Sequence, residues 1–307
     1  MNEKDREAHD MLSIERFHEL EALTERKALH TMELLKAELL ATVSHELRSP
    51  LASIKGYAAT LLRHEHRIAR DERHEFLVAI KEASDRLATL IDRLLEMSQL
   101  DTGAITIERA PVDLVHLIHE AISVAEQRLL ALQTDASHVP RQCTLQLRLE
   151  DGYGRVTSDE PVIQADRRRL REVLDNLLEN ALTYSPEDGV VEVVVRPVVA
   201  SLQTGREHTF SGAYHAGGPW RTDLPSMQGK REMIEICVRD SGKGIPAEHL
   251  ESIFERFHRV DTRLTREVGG LGLGLTICKR IVELHEGVIW AESVVSQGST
   301  FHIWLPM

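Results

Sequence analysis

Residues 76–97 read FLVAIKEASDRLATLIDRLLEM, a stretch that contains neither glycine nor proline. Its apolar side chains recur at alternating spacings of four and three residues, at Phe76, Ile80, Ala83, Leu87, Leu90, Leu94 and Met97. That spacing places them in one stripe along a helix and is typical of a helix that packs against other helices. The stretch therefore predicts a helix from about Asp71 to Leu100 in a coiled coil or a helical bundle.

The segment that precedes this helix predicts its partner. From about Glu3 to Arg63 the sequence is rich in Leu, Glu, Ala, Lys and His and almost free of Gly and Pro, which indicates one long helix. The short break around His64 to Arg70 favours an antiparallel helical hairpin. Two helices have too little core to fold alone, so we expect two chains to form a four-helix bundle.

One histidine on the first helix is set apart by its position. The buried stripe of that helix is predicted to consist of Leu40, Val43, Leu47, Leu51 and Ile54. His45 lies two residues from the nearest members of the stripe, so at about 100° per residue its side chain points away from the core. An exposed histidine is most often only a solvated residue, and the chain has 16 histidines. The neighbouring residues must therefore distinguish His45 from the others.

Glu46 and Pro50 provide that distinction. Glu46 stands beside His45 and could hydrogen-bond one ring nitrogen, which fixes the tautomer and raises the nucleophilicity of the other nitrogen. Pro50 follows inside the helical pattern, where it cannot donate to the carbonyl of residue 46 and is expected to bend the helix. A nucleophile with an adjacent base on a distorted turn indicates chemistry at this point of the helix.

The sequence changes character after the second helix. Asp101-Thr102-Gly103 ends that helix, and an extended linker leads to a domain boundary that we place near Ala110. Beyond it, helical stretches alternate with strands of period two. The strand candidates are Leu145 to Leu149, Val190 to Val195, Ile234 to Val238, Val288 to Ala291 and Phe301 to Leu305. These strands predict one sheet in a mixed α/β domain, and Pro197 to Gly229, which has no helical period, is predicted to be an insertion loop.

Composition excludes some classes of function. Acidic residues outnumber Lys and Arg by 49 to 37, and the net charge of −12 disfavours nucleic-acid binding, which rewards clustered basic residues. The cysteines Cys143, Cys237 and Cys278 are far apart, lack the spacing of metal ligands and suit a reducing cytoplasm. No stretch approaches the roughly 20 apolar residues that span a bilayer. The sequence indicates a cytoplasmic chain with no membrane segment of its own.

Three short motifs in the second half indicate a bound nucleotide. Asn176 and Asn180 stand four residues apart in LDNLLENA (174–181), hence on one helical face. DSGKGIP (240–246) follows a strand, so Asp240 lies at the strand end, and Gly242 and Gly244 allow close approach of the backbone. GGLGLGL (269–275) opens a helix, where bare amides favour phosphate oxygens. Each motif by itself also fits a structural alternative: capping asparagines, a turn, or a glycine cluster.

Together and in this order, the motifs resemble those of a known family. HELRSPL at 45–51 resembles the phosphoacceptor box of sensor histidine kinases, and the two-helix region looks like their dimerisation and histidine-phosphotransfer domain. The three later motifs, with IFERFHRV at 253–260, resemble the N, G1, G2 and F boxes of the histidine-kinase ATPase domain. The glycine motif fits neither a Rossmann turn nor a Walker loop. The resemblance covers the chain from about Ala37 to its C-terminus.

The resemblance implies a fold and a set of site residues. The second domain would be an α/β sandwich of the Bergerat type, with a mixed sheet and helices on one face. His45 would be the phosphoacceptor, Glu46 its assistant, and Ser49 would stand where relatives position a water for dephosphorylating the partner. Asn180 would help to coordinate Mg²⁺. The nucleotide would be bound by Asn176, Asn180, Tyr184, Asp240, Gly242, Gly244, Arg266, Gly270, Gly272, Gly274 and Thr300.

The expected organisation is a homodimer that acts on a second protein. Residues 1–36 would be a signalling coiled-coil helix, 37–110 the dimerisation and phosphotransfer domain, and 111–307 the catalytic domain with its insertion at 197–229. The segment from about Arg259 to Gly270, with Arg263, would be a lid over ATP. The phosphoryl group would pass from His45 to an aspartate in the receiver domain of a response regulator.

Two other classes of protein share parts of this pattern. An ATPase of the topoisomerase or chaperone kind has the same nucleotide fold but keeps an acidic general base where this chain has Asn176. A noncatalytic dimerising adaptor would have lost Asn180, Asp240 or the glycines, all of which are present. The sequence therefore favours the histidine kinase over both.

Overall fold

A computed structural model describes residues 41, 43–64, 67–102, 106–133, 143–201, 230–260 and 271–307. The chain divides between Leu90 and Ile91 into two compact units. The predicted coiled-coil segment 1–36, the insertion from 202 to 229, and the lid residues Arg263, Arg266 and Gly270 lie outside the described residues.

The first unit contains a helical hairpin. Residues 43–63 form helix α1, and helix α2 (Arg70–Asp101) begins in this unit. The rings of Tyr57 and Phe76 lie 5.4 Å apart, and the Glu46 carboxylate lies 3.8 Å from the Arg86 guanidinium. Because residue numbers rise along α1 as they fall along α2 at these contacts, the two helices are antiparallel, as predicted.

The apolar stripe predicted for α2 is confirmed. All seven stripe residues are buried or half-buried, and Leu90 is only 3% exposed. In this single chain the hairpin also leaves apolar side chains uncovered: Leu51 is 49% exposed, Leu62 79% and Leu77 51%. Apolar groups of this size gain free energy when they leave water, so these positions favour association with a further helical surface.

The second unit is an α/β fold. Its main elements are β1 (Ala110–Asp113), α3 (Leu114–Gln133), β2 (Thr144–Leu149), β3 (Val162–Ala165), α4 (Arg167–Tyr184), β4 (Val190–Ser201), β5 (Lys230–Arg239), α5 (Gly274–Leu284), β6 (Val288–Val294) and β7 (Gly298–Pro306). One sheet has the order β2-β4-β5-β7-β6, with β2 and β4 parallel and the other neighbouring pairs antiparallel. The prediction of five strands in one mixed sheet is confirmed.

The two faces of this sheet differ in chemistry. On the central strand β5, Ile234, Ile236 and Val238 are each no more than 1% exposed and belong to the core beneath the helices. The alternate residues Glu235 and Cys237 are also buried but lie on the opposite face, because successive side chains of a strand point to opposite sides. Helices α4 and α5 pack on each other and on the sheet, so the apolar core lies between the helices and one sheet face.

Two features of the strands differ from the predictions. Strand β4 continues to Ser201, so the first residues expected in the insertion, from Pro197, belong to a strand. Strand β2 pairs with β4 only as far as Val195, so the part of β4 that contains Pro197 has no neighbouring strand on that side. Proline is tolerated there because its missing N–H is not needed for a hydrogen bond to β2. The ribbon formed by β1 and β3 was also not predicted, since each of its strands has only four residues.

No helix among the described residues combines the length and the apolarity that a bilayer crossing requires.

Asp166 and His285 connect the start of α4 to the end of α5. The Asp166 carboxylate accepts a hydrogen bond from the Arg169 N–H at 3.1 Å and so caps α4, while its own N–H donates to His285 Nε2 at 3.0 Å. The Nδ1 of His285 donates to the Ile281 carbonyl at 2.8 Å, which makes the ring a neutral tautomer. Burial lowers the pKa of His285, against a smaller opposing effect of the Ile281 carbonyl.

We expect His285 to make the folded state sensitive to acid. Its folded-state pKa lies below the ordinary value of 6.5, so its contribution to stability is complete above that pH and is lost as the pH falls through the folded pKa. Replacing His285 with Gln should cost about 1–3 kcal/mol at alkaline pH, because buried partners lose their hydrogen bonds. Denaturant unfolding, followed by tryptophan fluorescence across this pH range, measures both effects.

His119→Gln is the matched control, because His119 is exposed on α3. It should change neither the stability nor its pH dependence. If His285→Gln keeps the wild-type loss of stability between neutral and mildly acidic pH, another group is responsible for that loss.

Candidate functional site

His45 lies on the exposed surface of α1, as its position away from the predicted apolar stripe indicates. Its side chain is 81% exposed, and its Nδ1 lies 3.7 Å from Glu46 Oε1. The second oxygen of Glu46 lies 3.8 Å from the guanidinium of Arg86 on α2. Both distances exceed a hydrogen bond and are within the range of an ion pair. Arg86 therefore positions the Glu46 carboxylate beside one ring nitrogen, and Nε2 is left for reaction.

The residues that follow His45 form one uninterrupted helix. Ser49 is exposed one turn beyond His45, which places both on the same face of α1. Pro50 is buried, and residues 43–63 are helical across it. Burial of the proline ring places it toward the core, opposite the side on which His45 meets solvent.

Asp240 lies at the junction of β5 and β7. It is only 7% exposed, and its Oδ1 accepts hydrogen bonds from the N–H groups of Gly242 at 2.8 Å and Ser299 at 3.2 Å. Among the described residues both bonds reach Oδ1, so Oδ2 is available to a ligand. Burial raises the pKa of Asp240, and the two N–H donors oppose that shift. Thr300 pairs with Arg239 across β5 and β7, so it stands at the same end of β5 as Asp240.

Gly242 and Gly244 allow the loop after β5 to pack tightly. A side chain on Gly242 would place its Cβ 2.4 Å from the Tyr184 carbonyl oxygen, and one on Gly244, where φ is +71°, would meet the Val294 carbonyl at 2.2 Å. The space at both glycines is taken by backbone of the same chain. Their function is therefore to hold the loop against the end of α4 and the end of β6.

Tyr184 belongs to this contact. It is the last residue of α4 and is 40% exposed, and the ammonium group of Lys243 lies 5.0 Å from the centre of its ring. A cation at that distance from an aromatic face is attracted by the ring. The structure thus brings the end of the helix that carries the predicted N box against the predicted G1 box.

The middle of α4 faces the glycine-rich segment. Asn176 and Asn180 are both half-buried, and the Asn176 amide nitrogen donates to the Glu172 carbonyl at 3.0 Å. A Cβ on Gly274, the first residue of α5, would lie 3.1 Å from Asn176 Oδ1. The predicted N and G2 boxes are therefore in contact.

The alternation of Leu and Gly in the G2 box has a structural cause. Leu271 and Leu273 are each 1% exposed and anchor the segment in the core. Gly272, with φ of +66°, lies against the backbone of Phe257 and His258, so the F box supports this turn. Within the part of the chain that the structure describes, no side chain caps the first turn of α5, so its N–H groups are available to an anion.

Several residues with roles at this site were not singled out from the sequence. Thr276, in the first turn of α5, has a buried hydroxyl with no hydrogen-bond partner among the described residues. Gly298, with φ of +105°, would bring a Cβ to 2.0 Å from the Asp240 carbonyl oxygen. Ser299 donates its backbone N–H to Asp240. In the first unit, Arg86 on α2 places a positive charge beside Glu46 on α1. Such contacts join residues distant in sequence and leave no local motif.

The residues present fit a nucleotide with a divalent cation. A buried carboxylate with a free oxygen suits a base with an amino group, and an uncapped helix start with an unpaired hydroxyl suits phosphate oxygens. A carboxamide oxygen such as that of Asn180 is a ligand type that Mg²⁺ accepts. The structure brings together Asn176, Tyr184, Asp240, Gly242, Gly244, Gly272, Gly274 and Thr300 in the second unit. His45, Glu46 and Ser49 lie in the first unit.

Two family models match this chain. Residues 35–103 match the His Kinase A (phospho-acceptor) domain. Residues 165–307 match the family described as "Histidine kinase-, DNA gyrase B-, and HSP90-like ATPase". The first match contains the exposed histidine, and the second contains all the described residues of the candidate nucleotide site.

Curated proteins match over most of this chain. The circadian input-output histidine kinase CikA of Synechococcus elongatus is 35% identical over 271 residues, which cover 88% of this chain and 30% of CikA. The sensor histidine kinase WalK of Bacillus subtilis is 31% identical over 275 residues, which cover 90% of this chain and 37% of WalK. The chain thus spans about a third of the length of these two relatives.

Solved structures share the fold. The full-length ShkA complex with AMPPNP superposes with a TM-score of 0.53 at 24% identity, covering 88% of this chain and 45% of ShkA. The Acinetobacter baumannii histidine kinase AdeS has a TM-score of 0.54 at 18% identity, covering 86% of this chain and 98% of AdeS. At these identities the likeness concerns the fold alone.

We expect Asp240→Asn to weaken nucleotide binding without unfolding the protein. The amide keeps one oxygen for the Gly242 and Ser299 donors, but it replaces the charged acceptor that would face the ligand. Loss of a hydrogen bond to a charged group should weaken ATP binding about ten- to a hundredfold. Isothermal titration calorimetry with ATP and magnesium measures the effect.

Asp188→Asn serves as the control, because Asp188 is exposed in the turn before β4. Its affinity for ATP should equal that of the wild type. Wild-type affinity in Asp240→Asn would remove Asp240 from the nucleotide site.

Proposed function

The chain belongs to the sensor histidine kinases of two-component systems, and on that premise we propose that it uses ATP to phosphorylate its own His45. The phosphoryl group then passes from His45 to an aspartate of a response regulator. The observation that carries the proposal is the exposed imidazole whose Nδ1 faces Glu46, itself paired with Arg86.

The chemistry assigned to α1 is an in-line displacement. The Nε2 of His45 attacks the γ-phosphorus of ATP, the bond between that phosphorus and the bridging oxygen breaks, and ADP leaves. Glu46 stabilises the positive charge that develops on the ring and accepts the Nδ1 proton. Arg86 is a positioning residue for Glu46. The solvent exposure of His45 suits a group that must meet first a nucleotide and then a second protein.

The second unit would hold the nucleotide. Asp240 accepts a hydrogen bond from the adenine amino group, and the N-terminus of α5 receives phosphate oxygens, with Thr276 Oγ1 in reach of the same end. Asn180, supported by Asn176, would hold Mg²⁺, which neutralises charge on the transferring phosphoryl group. Arg266 and Gly270 would contact phosphate from the lid.

ATP hydrolysis is a weaker alternative. A hydrolase of this fold needs a carboxylate to take a proton from the attacking water. In this chain the place of that carboxylate is taken by Asn176, which lies against Gly274. The Asn176 amide nitrogen donates a hydrogen bond to the Glu172 carbonyl. A carboxamide does not act as a base, so the site favours transfer to a histidine over transfer to water.

The hairpin would work as part of a dimer. We propose that residues 37–110 of two chains form a four-helix bundle and that residues 111–307 of each form its catalytic domain. The exposed Leu51, Leu62 and Leu77 supply apolar surface for the bundle. Ser49, one turn from His45, keeps a hydroxyl that could position a water for dephosphorylating the regulator.

Labelling with ATP radioactive at the γ-phosphate tests the nucleophile. Wild-type protein with magnesium should acquire label that is lost in acid and kept in alkali, as expected for phosphohistidine. His45→Gln should abolish the label, because the attacking nitrogen is removed, and should leave ATP affinity unchanged.

The control for this experiment is His74→Gln, at an exposed histidine on α2. It should label like the wild type. Label that persists in His45→Gln would move the phosphoacceptor elsewhere, and release of free phosphate without labelled protein would favour the hydrolase.

The dimer is tested by charge placed on the apolar surface of the hairpin. Leu62→Glu combined with Leu77→Glu should weaken dimerisation at least tenfold, since burying each leucine is worth about 1.5–3 kcal/mol. Light scattering across a concentration series, starting from a chain mass of 34.7 kDa, measures the dissociation constant.

His64→Glu combined with His74→Glu adds the same charge at exposed polar positions of the same hairpin and should leave the dissociation constant within a few-fold of wild type. A wild-type protein that remains monomeric, or a leucine variant that dimerises normally, would contradict the bundle.

A further inference from the structure

Three buried side chains with metal-binding atoms lie on the sheet face opposite the helices. Glu235 and Cys237 alternate on β5, and His302 on β7 stands directly across from Cys237. Their exposures are 2%, 5% and 8%. Burial of such groups is costly unless they bind one another or a ligand. The proposed kinase reaction uses none of the three.

The three side chains converge on one point. His302 Nδ1 lies 3.2 Å from Cys237 Sγ and 2.9 Å from Glu235 Oε1, and all three ligand atoms lie within 4.8 Å of one another. A catalytic Cys-His-Glu relay would instead need the thiol and the carboxylate at opposite nitrogens of the ring. Convergence on the same nitrogen is the arrangement of ligands around an ion.

We propose that Glu235 Oε1, Cys237 Sγ and His302 Nδ1 form a binding site for a divalent ion of the zinc type. Thiolate, imidazole and carboxylate are the ligands that Zn²⁺ takes, at about 2.0–2.3 Å. In a tetrahedral site such ligands stand roughly 3.3–3.8 Å apart. The distances from His302 Nδ1 to Cys237 Sγ and to Glu235 Oε1, 3.2 and 2.9 Å, need to lengthen by only a few tenths of an ångström to reach this spacing. Three protein ligands leave the fourth position to water.

The surrounding groups support the same three atoms. The second oxygen of Glu235, Oε2, is hydrogen-bonded to Arg196, which also lies 3.7 Å from Glu150. Arg196 therefore compensates charge without occupying Oε1. The ring of Trp290 stacks on His302, with the two planes inclined by 5°, and holds the imidazole in place.

The far nitrogen of His302 provides an independent observation. Nε2 is buried and has no hydrogen-bond partner among the described residues, and Glu292 Oε2 lies 3.9 Å from it. A histidine that binds a metal through Nδ1 carries its proton on Nε2 and normally donates it to a carboxylate. Glu292 is placed to accept that proton, so it would orient the ring toward the ion.

Binding would exchange a proton for the ion. Burial raises the pKa of the Cys237 thiol, so the sulfur is protonated in the metal-free protein. Burial opposes ionisation of Glu235 as well, but His302 and Arg196 together lower its pKa to about 2. The Cys237 S–H bond therefore breaks, the sulfur–metal bond forms, and that proton passes to solvent. The proton that His302 Nδ1 shares with Glu235 moves to Nε2, on the side of Glu292, so that Nδ1 is free to bind the ion. No oxidation state changes.

Cobalt(II) titration of the reduced, metal-free protein tests the site. Wild type should bind one equivalent with the near-ultraviolet absorption of a cobalt–thiolate bond, and Zn²⁺ should displace it. Cys237→Ser should lose that absorption, because its ligand sulfur is gone. The matched control Cys278→Ser should keep it, because Cys278 is equally buried but lies on α5 outside the cluster.

Two further measurements do not depend on the folding of Cys237→Ser. X-ray absorption of the zinc-loaded wild type should show one sulfur and otherwise nitrogen or oxygen ligands. Glu292→Gln should weaken zinc affinity about 10- to 100-fold in competition with a chromophoric chelator. Absence of a thiolate band in the wild type, or a band that survives in Cys237→Ser and disappears in Cys278→Ser, would overturn the proposal.

Discussion

The hydrogen bonds of one buried carboxylate, Asp240, hold the nucleotide half of the molecule in register. Its Oδ1 joins the loop after β5, through Gly242, to the start of β7, through Ser299. The backbone around it is packed so closely that residues 242 and 298 have no room for a side chain. The position of α4 relative to the loop follows from the same contact, because the Tyr184 carbonyl fills the space beside Gly242.

Histidines in three different environments show how burial assigns different chemistry to the same side chain. His45 is exposed and faces a carboxylate, which suits a nucleophile. His285 is buried between an N–H donor and a carbonyl acceptor, so its neutral form is part of the fold. His302 is buried with a thiol and two carboxylates around it, which suits a metal ligand. The imidazole ring is the same in each case, and its neighbours decide whether it suits a nucleophile, a buried hydrogen-bonding group or a metal ligand.

The elements with a strong local pattern could be predicted from the sequence. The stripe of α2 and the five strands follow from apolar spacing, because a helix or strand that buries one face must repeat apolar residues at its own period. The ribbon of β1 and β3 was missed because strands of four residues carry too few repeats to reveal a period. The extension of β4 through Pro197 was missed because the tolerance of that proline depends on where β2 ends, which is a property of the neighbouring strand.

The sequence by itself determined which segments are helices and strands, the exposure of His45 and the identity of the nucleotide motifs. Each of these follows from a pattern among residues within a few positions of one another. Only the tertiary structure decided which distant groups meet: Arg86 with Glu46, Ser299 with Asp240, Gly274 with Asn176, and the cluster of Glu235, Cys237 and His302. Cys237 and His302 stand 65 residues apart, so no spacing rule could pair them. They are neighbours because β5 and β7 are adjacent in the sheet, and strand order is set by the packing of the whole domain.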